Sequence, residues 1–362
     1  MSLRHKTLLL ISLVLLGLIA VLSASLSAIL LNSFTRLEEK NSRKNVQRVK
    51  EALYDKTQEL ANSTKDWGAW DDTYEFIEDK NNSFFQANLR ESTFANLQLN
   101  YLILLNNTGQ QVYGQGFELA KGTEIPITAS LSKYLNPDSV LLKHTNTQDV
   151  NEGIIVLEDS LLLIASHPIV TSDHEGPIRG SLIMGQYLNP SKIKSLEKQT
   201  QLSLNLYSLA NPQLASGLKE VVSELRQTEE NFPDNLLEAP ISVEPFNKKV
   251  IFGYALLPDI TGKPAILLRV EMPREIYQQG LNSLSYLIIS LLLVGIIFGA
   301  GTLFLLEKVV LSRLANLSQD VQEIGTTGDL SLRVQTLGKD ELTSLATTIN
   351  SMVQRLEISS KE

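Results

Sequence analysis

The sequence predicts an α+β domain held outside the membrane between two transmembrane helices, followed by an all-α coiled-coil domain. Three observations support this fold class. Two uncharged apolar runs are each long enough to cross a bilayer. A long helical pattern and then a series of strand-like runs fill the segment between them. Two short heptad seams follow the second apolar run.

The first apolar run, residues 7–31, reads TLLLISLVLLGLIAVLSASLSAILL and carries no charged residue. About 20 apolar residues are enough to span a bilayer. A cleaved signal peptide is the alternative, because Arg-His-Lys precedes the run and Ser-Ala-Ser at 23–25 resembles a cleavage site. The run is longer than a signal-peptide core of about 7–15 residues, which favours an uncleaved anchor.

The second apolar run, residues 284–306, predicts a second transmembrane helix. Basic residues lie before the first run and after the second, namely Arg4, His5, Lys6, Lys308 and Arg313. By the positive-inside rule both termini are cytoplasmic, including the short segment 1–6, and residues 32–283 are exported. We therefore expect a protein with two membrane spans.

The exported segment predicts a long helix and then antiparallel strands. Val46, Val49, Leu53 and Leu60 are spaced for one helical face. Strand-like runs with intervening turns follow at 99–105, 110–114, 160–170, 180–188, 202–209, 248–256 and 263–272. The later set, within residues 200–272, either completes one sheet or forms a second lobe. Pro273 is expected to start the helix that leads into the second span.

The stretch DWGAWDDTYEFIED, residues 66–79, contains both tryptophans of the chain. With a cap among residues 62–64, a new helix is expected at Lys65, and Trp67, Trp70, Tyr74 and Ile77 would then share one face. This face is either a packed core stripe, with the carboxylates in solvent, or the wall of a ligand site. A cationic or amine ligand would suit carboxylates beside indoles. The candidate ligand-binding residues are Asp66, Trp67, Trp70, Asp71, Asp72 and Tyr74.

The C-terminal part contains two heptad seams joined by the irregular stretch GTTGDLSLRVQTLGKDE. The seams are Val310, Leu314, Leu317, Val321 and Ile324, and Leu342, Leu345, Ile349, Met352 and Leu356. An ordinary amphipathic hairpin has the same seams. With the connector between them, residues 307–358 resemble a HAMP domain, although Arg313 and Thr343 replace a proline and a glycine of the family pattern. The resemblance implies a homodimeric parallel bundle that relays signals, with Gly328, Asp329, Leu330, Asp340 and Glu341 as relay residues.

The tryptophan stretch, together with NLRESTFANLQLNYLILLNNTGQQVYG and ASHPIVTSDHEGPIRGSLIMGQYL, resembles the fourth subclass of CHASE extracellular sensor domains. The resemblance covers about residues 46–188. It implies a PAS/Cache-like fold that senses extracytoplasmic signals just ahead of HAMP, in a receptor of the bacterial inner (plasma) membrane. His167 and Arg179, which flank the later strands, are expected to be structural rather than ligand-contacting.

Composition narrows the classes of function. The chain has no cysteine, only four histidines and a net charge of −8. These values argue against thiolate or histidine-rich metal sites and, together with the lack of a basic aromatic cluster, against nucleic acid. We expect no metal, no cofactor and no catalytic residue.

The predicted function is that of a transmembrane receptor. Its expected partners are an unidentified small-molecule ligand, a second copy of the chain, membrane lipid and a cytoplasmic effector of the histidine kinase or cyclic-di-GMP type. Small residues every four positions, Ala20, Ala24 and Ala28 in one span and Gly295 and Gly299 in the other, fit helix contacts in a dimer.

Other functions fit parts of the same sequence. Only ISSKE follows Glu357, so we expect either the input half of a longer protein or a chain that binds a separate effector. The alternative functions are a membrane-anchored adaptor for another exported protein, and an exported hydrolase that uses Asp66 and Asp71 as paired carboxylates.

Overall fold

The computed structural model describes residues 3–158, 160–227 and 232–359. The first two residues of the predicted N-terminal segment 1–6 lie outside the described part. The chain divides into two compact units, Thr35–Gln278 and the pair Met1–Phe34 with Gln279–Glu362.

The first helix, α1, runs without interruption over Leu3–Gly68. The expected helix start at Lys65 is therefore wrong. The hydroxyls of Ser63 and Thr64 donate back to the carbonyl oxygens of Glu59 and Leu60, at 3.1 and 2.8 Å, and so do not cap a new helix.

A six-stranded antiparallel sheet follows three short helices, and its strand order is β3-β2-β1-β6-β5-β4. The helices are α2 (Asp71–Asp79), α3 (Asn82–Asn88) and α4 (Glu91–Leu97). The strands are β1 (Tyr101–Asn106), β2 (Gln111–Glu118), β3 (Thr123–Ile125), β4 (Asn151–Val156), β5 (Leu161–Pro168) and β6 (Gly180–Tyr187). Between β3 and β4 lie α5 (Ala129–Ser132) and a 3₁₀ turn (Val140–Leu142).

A separate four-stranded sheet with the order β7-β10-β9-β8 follows, so the later strands form a second lobe. Its elements are α6 (Pro190–Thr200), β7 (Ser203–Ser208), α7 (Ser216–Gln227), a 3₁₀ turn (Leu236–Glu238), β8 (Ile241–Pro245), β9 (Val250–Pro258) and β10 (Pro264–Pro273). Val46, Val49, Leu53 and Leu60 of α1 are buried in one apolar core shared with both sheets. The predicted α+β ectodomain with a long N-terminal helix is confirmed.

The strands found beyond the sequence prediction are β3, β4 and β8, which are short or contain polar residues. Pro273 does not start a helix, because it pairs with Val250 as the last residue of β10. Helix α8 covers Glu275–Leu306. Only Arg274 separates the end of the sheet from this helix.

Two helical segments are long and apolar enough to cross a membrane, judged by length and composition. Within the described part of the chain they are Leu9–Gly68 and Glu275–Thr327. Gly295 and Gly299 of α8 contact Ile19 and Leu15 of α1 in the same chain, where an added Cβ would lie 2.4 and 2.7 Å from them. These two glycines thus allow close packing of α8 on α1 within one chain, and their role in a dimer contact stays a prediction.

After α8 come a π-helical turn (Glu307–Leu311), α9 (Ser312–Thr327) and α10 (Glu341–Ser359). The predicted all-α C-terminal domain is confirmed. Its core within one chain is built from Ile324, Val334, Ala346 and Val353. In contrast, Leu345, Met352 and Leu356 of the predicted second seam are 46%, 63% and 55% exposed.

Candidate functional site

The two tryptophans lie on either side of a break in the helix. After Gly68, Ala69 forms a parallel bridge with Val170, and the Val170 amide donates to the Gly68 carbonyl at 3.0 Å. A side chain at 68 has no room, because an added Cβ would lie 2.6 Å from Nδ1 of His167. Trp67 therefore lies in the last turn of α1 and Tyr74 lies on α2, so the single helical face that the spacing predicts is absent.

The aromatic residues nevertheless pack together at the edge of the core. The Trp67 and Trp70 rings meet edge to face with centroids 5.8 Å apart. Trp70 also contacts Phe84, with a centroid distance of 5.7 Å. Trp67, Trp70 and Tyr74 are half-buried against the shared core, whereas Asp66 and Asp72 are exposed. Each of the three rings thus has one part packed against the core and another part at the surface.

Asp71 and Tyr74 connect α2 to the β5–β6 loop, residues 169–179. The Asp71 carboxylate accepts a hydrogen bond from the Ser172 amide at 2.9 Å, and the Asp71 amide donates to the Ser172 hydroxyl at 3.1 Å. This reciprocal pair also satisfies an amide in the first turn of α2.

Arg179 makes the second connection across the same junction. Its guanidinium lies 3.7 Å from the centroid of the Tyr74 ring and donates to the Tyr74 carbonyl at 2.7 Å. Its Nε lies 3.1 Å from a carboxylate oxygen of Glu78. We call Asp71, Tyr74, Glu78, Ser172 and Arg179 the clasp. It fixes the turn after α1 to the β5–β6 loop.

Replacement of Arg179 by methionine should lower the free energy of unfolding by roughly 2 kcal/mol, because hydrogen bonds to a charged group and a cation–π contact are lost together. Urea unfolding of the full chain in detergent measures this through Trp67 and Trp70 fluorescence. Arg226→Met on exposed α7 is the matched control and should change little. Equal effects of the two substitutions would contradict the clasp.

His167 lies against the backbone at Gly68, where α1 ends, and is fully buried. Its Nδ1–H donates to the Pro168 carbonyl at 2.7 Å, and its Nε2 has no hydrogen-bond partner among the described residues. Burial lowers the pKa of His167 from 6.5 to about 4, and the neighbouring histidines and Lys65 add to this. Burial likewise lowers the pKa of His144, which lies near Ser166 of β5, to about 4.

These two shifts predict that the ectodomain loses stability in mild acid. The unfolded chain binds protons at both imidazoles below about pH 6.5, whereas the folded chain does so only near pH 4. Stability is therefore complete above pH 6.5 and falls as the pH is lowered through this window, by about 1.4 kcal/mol per unit of pKa difference. Urea unfolding as a function of pH checks this. His144→Gln should flatten the dependence, and an unchanged slope would contradict the prediction.

A buried ion pair lies where the sheet leads into α8. Glu38 of α1 accepts from Nε and Nη2 of Arg274 at 3.0 and 2.7 Å, and the two side chains are 4% and 9% exposed. Arg274 also donates to the Asn247 carbonyl at 3.1 Å and stacks on Tyr277, 4.0 Å from the ring centroid. This pair is not among the features that the sequence predicts. Its only signal is the position of each residue a few residues outside a predicted span.

In the C-terminal domain, the two residues that depart from the HAMP pattern contact each other. The Arg313 guanidinium donates to the hydroxyl of Thr343 at 3.2 Å and to the carboxylate of Asp340 at 2.5 Å. The hydrogen bond from Arg313 has the largest effect on the pKa of Asp340 and holds it well below its usual range; the hydrogen bonds from Thr343 add to this effect. Arg313 thereby joins α9 to the start of α10, next to Glu341.

The other predicted relay residues lie at the start of the connector. Gly328 ends α9 with a φ of +66°, a conformation that favours glycine. Asp329 accepts from the Ser331 amide at 2.9 Å, and Leu330 packs against the core of this domain. Val334 is held further along by two backbone hydrogen bonds with the Asn350 side chain, at 2.8 and 2.9 Å.

Comparison with known proteins agrees with this architecture. The CHASE4 domain family matches residues 52–207 and the HAMP domain family matches residues 305–358. The methanogenesis regulatory histidine kinase FilI of Methanothrix harundinacea is 28% identical over 359 residues, which is 99% of this chain and 38% of that protein. The chain thus spans about two fifths of the length of this relative.

Solved sensor domains are also similar to the chain. The extracellular domain of a protein classed as a histidine kinase, vpHK1S-Z8, has a TM-score of 0.44 and 11% identity, over 70% of this chain and 99% of that one. The periplasmic domain of LuxQ from Vibrio cholerae has a TM-score of 0.38 and 11% identity, over 64% and 98%.

The family matches confirm the two domains that the sequence resembles, and the CHASE4 match extends beyond the predicted end at about residue 188 into β7. Sensor and HAMP domains occur in this order beside two helices of membrane-spanning length. The chain carries a domain of the CHASE4 family followed by one of the HAMP family, the arrangement of a transmembrane sensory receptor.

Proposed function

We propose that the chain is a homodimeric inner-membrane receptor that binds a small molecule outside the cell and controls a cytoplasmic effector. The observation that carries the proposal is the junction at Arg274. There β10 leads directly into α8, and the same residue is bound to Glu38 of α1. A change in the ectodomain therefore reaches both helices that lead to the spans.

The proposed effector is a histidine kinase, the activity named for the relative FilI. The ligand shifts the receptor between two states by no more than its difference in affinity for them. The HAMP helices then convert a displacement of α8 into a change of packing. No step of this proposal uses nucleic acid.

In the proposed orientation, both termini lie in the cytoplasm and residues 32–283 lie outside the cell. Lipid surrounds the two spans. Because the chain has no cysteine, single introduced cysteines test this cleanly. In intact cells, an impermeant thiol reagent should label Asp55→Cys and not Lys339→Cys, both at exposed positions. The opposite labelling pattern would overturn the proposed orientation of the receptor.

The homodimer is supported by apolar surface in the HAMP domain. Leu345, Met352 and Leu356 are exposed in a single chain at heptad spacing, and the span residues Ala20, Ala24 and Ala28 are also exposed. Two copies would bury both sets. Met352→Cys should form a disulfide between protomers, whereas the neighbouring Ser351→Cys should not. Equal cross-linking at the two positions would count against the dimer.

The six candidate ligand residues take two roles in this proposal. Asp71 and Tyr74 serve the clasp, and Trp67 and Trp70 support the turn beside it. Asp66 and Asp72 are exposed and are available to a ligand that reaches the tryptophan edges. In this role residues 66–79 couple the β5–β6 loop to α1. Ligand binding to the ectodomain then changes the position of α1.

A further inference from the structure

A cleft of about 880 Å³ lies between the two sheets, at the point where β6 leads into α6. Small-molecule sites in proteins have volumes of roughly 300–1,000 Å³. The six-stranded sheet contributes Glu118 and Tyr187, the turn between β4 and β5 contributes Glu158, and the other lobe contributes Asn189 and Ser208. The cleft therefore has the size of a ligand site and a wall from each lobe.

The charged groups of this cleft all have the same sign. Among its described lining residues, Glu118 and Glu158 are the charged ones, and no lysine, arginine or histidine occurs. Near one wall, the hydroxyls of Tyr187 and Tyr101 share a hydrogen bond of 2.7 Å. The pKa of the Tyr187 phenol is raised, first by burial, then by Tyr101, and also by the charge of Glu118. A positively charged group is favoured in such surroundings and an anion is not.

We infer that the cleft binds a small organic cation that carries an amine or quaternary ammonium group, with Glu118 and Glu158 as its counter-charges. The uncharged remainder of the molecule contacts the apolar part of the lining, which includes Leu161, Leu188 and Ile193. The inference rests on the proposed receptor function and specifies the chemical class of its ligand.

The position of the cleft connects binding to the membrane junction. Ser208 at the cleft belongs to β7, which pairs with β10 along six residues from Ile266 to Glu271. Strand β10 ends at Pro273, next to Arg274 and its ion pair. A ligand that bridges both walls favours one arrangement of the two lobes, and β10 transmits that arrangement to α8.

The test is isothermal titration of the full chain in nanodiscs with choline and with spermidine, and with acetate as the anionic probe. We expect saturable binding of at least one cation and none of acetate. Glu118→Gln and Glu158→Gln should each weaken binding about tenfold, because a charge partner is lost. Glu220→Gln on the exposed surface of α7 is the matched control and should bind as the parent does.

Two results would overturn the inference. One is the absence of saturable binding of both cations, and the other is unchanged affinity in both glutamine variants. Neither result affects the cysteine labelling that tests the receptor orientation, so the two proposals fail independently. Saturable cation binding that both variants weaken, while the thermal unfolding of the variants matches the parent, would support the cleft as the site.

Discussion

Replacing Glu38 with alanine should lower the free energy of unfolding by about 3–5 kcal/mol, the usual cost of leaving one member of a buried ion pair without its partner. The Arg274 guanidinium would then keep one carbonyl acceptor and the Tyr277 ring, but no counter-charge at this position. Desolvation of an uncompensated cation is the physical reason for the large effect.

Glu39, which follows Glu38 in the chain, provides a matched control. Glu39 forms an ion pair with Arg43 at 3.1 Å, but about half of each of these side chains is exposed. Glu39→Ala should therefore cost less than about 1 kcal/mol. Urea unfolding of the full chain, followed by tryptophan fluorescence, compares the two variants. Similar losses for Glu38→Ala and Glu39→Ala would show that the buried pair has no special role.

Glu38→Ala also has an expected effect on signalling. With the ion pair gone, β10 and α8 keep their apolar contacts with α1, but the charged contact between Arg274 and α1 is lost. We expect a cysteine at Met352 to cross-link between protomers to the same extent with and without choline in Glu38→Ala, whereas the parent background should respond. A full response in the variant would place the coupling elsewhere.

Gly253→Ala should destabilise the ectodomain by about 1–3 kcal/mol through overpacking. The added Cβ would lie 2.3 Å from Cγ2 of Val46 and 3.0 Å from Cε of Met272. The methionine can move aside, whereas Val46 is fully buried on α1, and a β-branched side chain in a helix has one strongly preferred rotamer. The strain would push α1 away from β9.

Gly217→Ala in α7 is the control, because no atom lies within 4 Å of its added Cβ. Alanine favours a helix over glycine by up to about 1 kcal/mol, so this variant should be as stable as the parent or slightly more stable. Urea unfolding of both variants in the full chain measures the contrast. Equal stability of the two would show that α1 does not depend on close approach to β9.

The sequence was sufficient to predict the elements that are determined by residues close together in the chain. The uncharged runs, the alternating strands around NNTG and the connector with its glycine follow from periodicity and turn chemistry. It was insufficient where distant residues decide the outcome. Trp67 and Trp70 have helical spacing, but contact with Val170 and His167 ends the helix between them. Glu38 and Arg274 are 236 positions apart, and nothing in the local pattern links them.

The departures from the HAMP pattern illustrate the same point. In the sequence, Arg313 and Thr343 are two separate departures from the family pattern, 30 positions apart. In the structure they form one contact across the domain, with Asp340 between them. A pairwise compensation of this kind is visible only when the fold brings the two positions together.

The π-helical turn at Glu307–Leu311 carries one residue more than an α-helix needs for the same advance. Each residue of an α-helix turns the chain by roughly 100°, so a residue added to the regular helix α9 would rotate every later side chain by that angle, whereas a residue removed from the π-helical turn is absorbed within the turn. A one-residue deletion within Glu307–Leu311 should therefore leave the helix faces of α9 and α10 where they are, while the same deletion inside α9 should displace them.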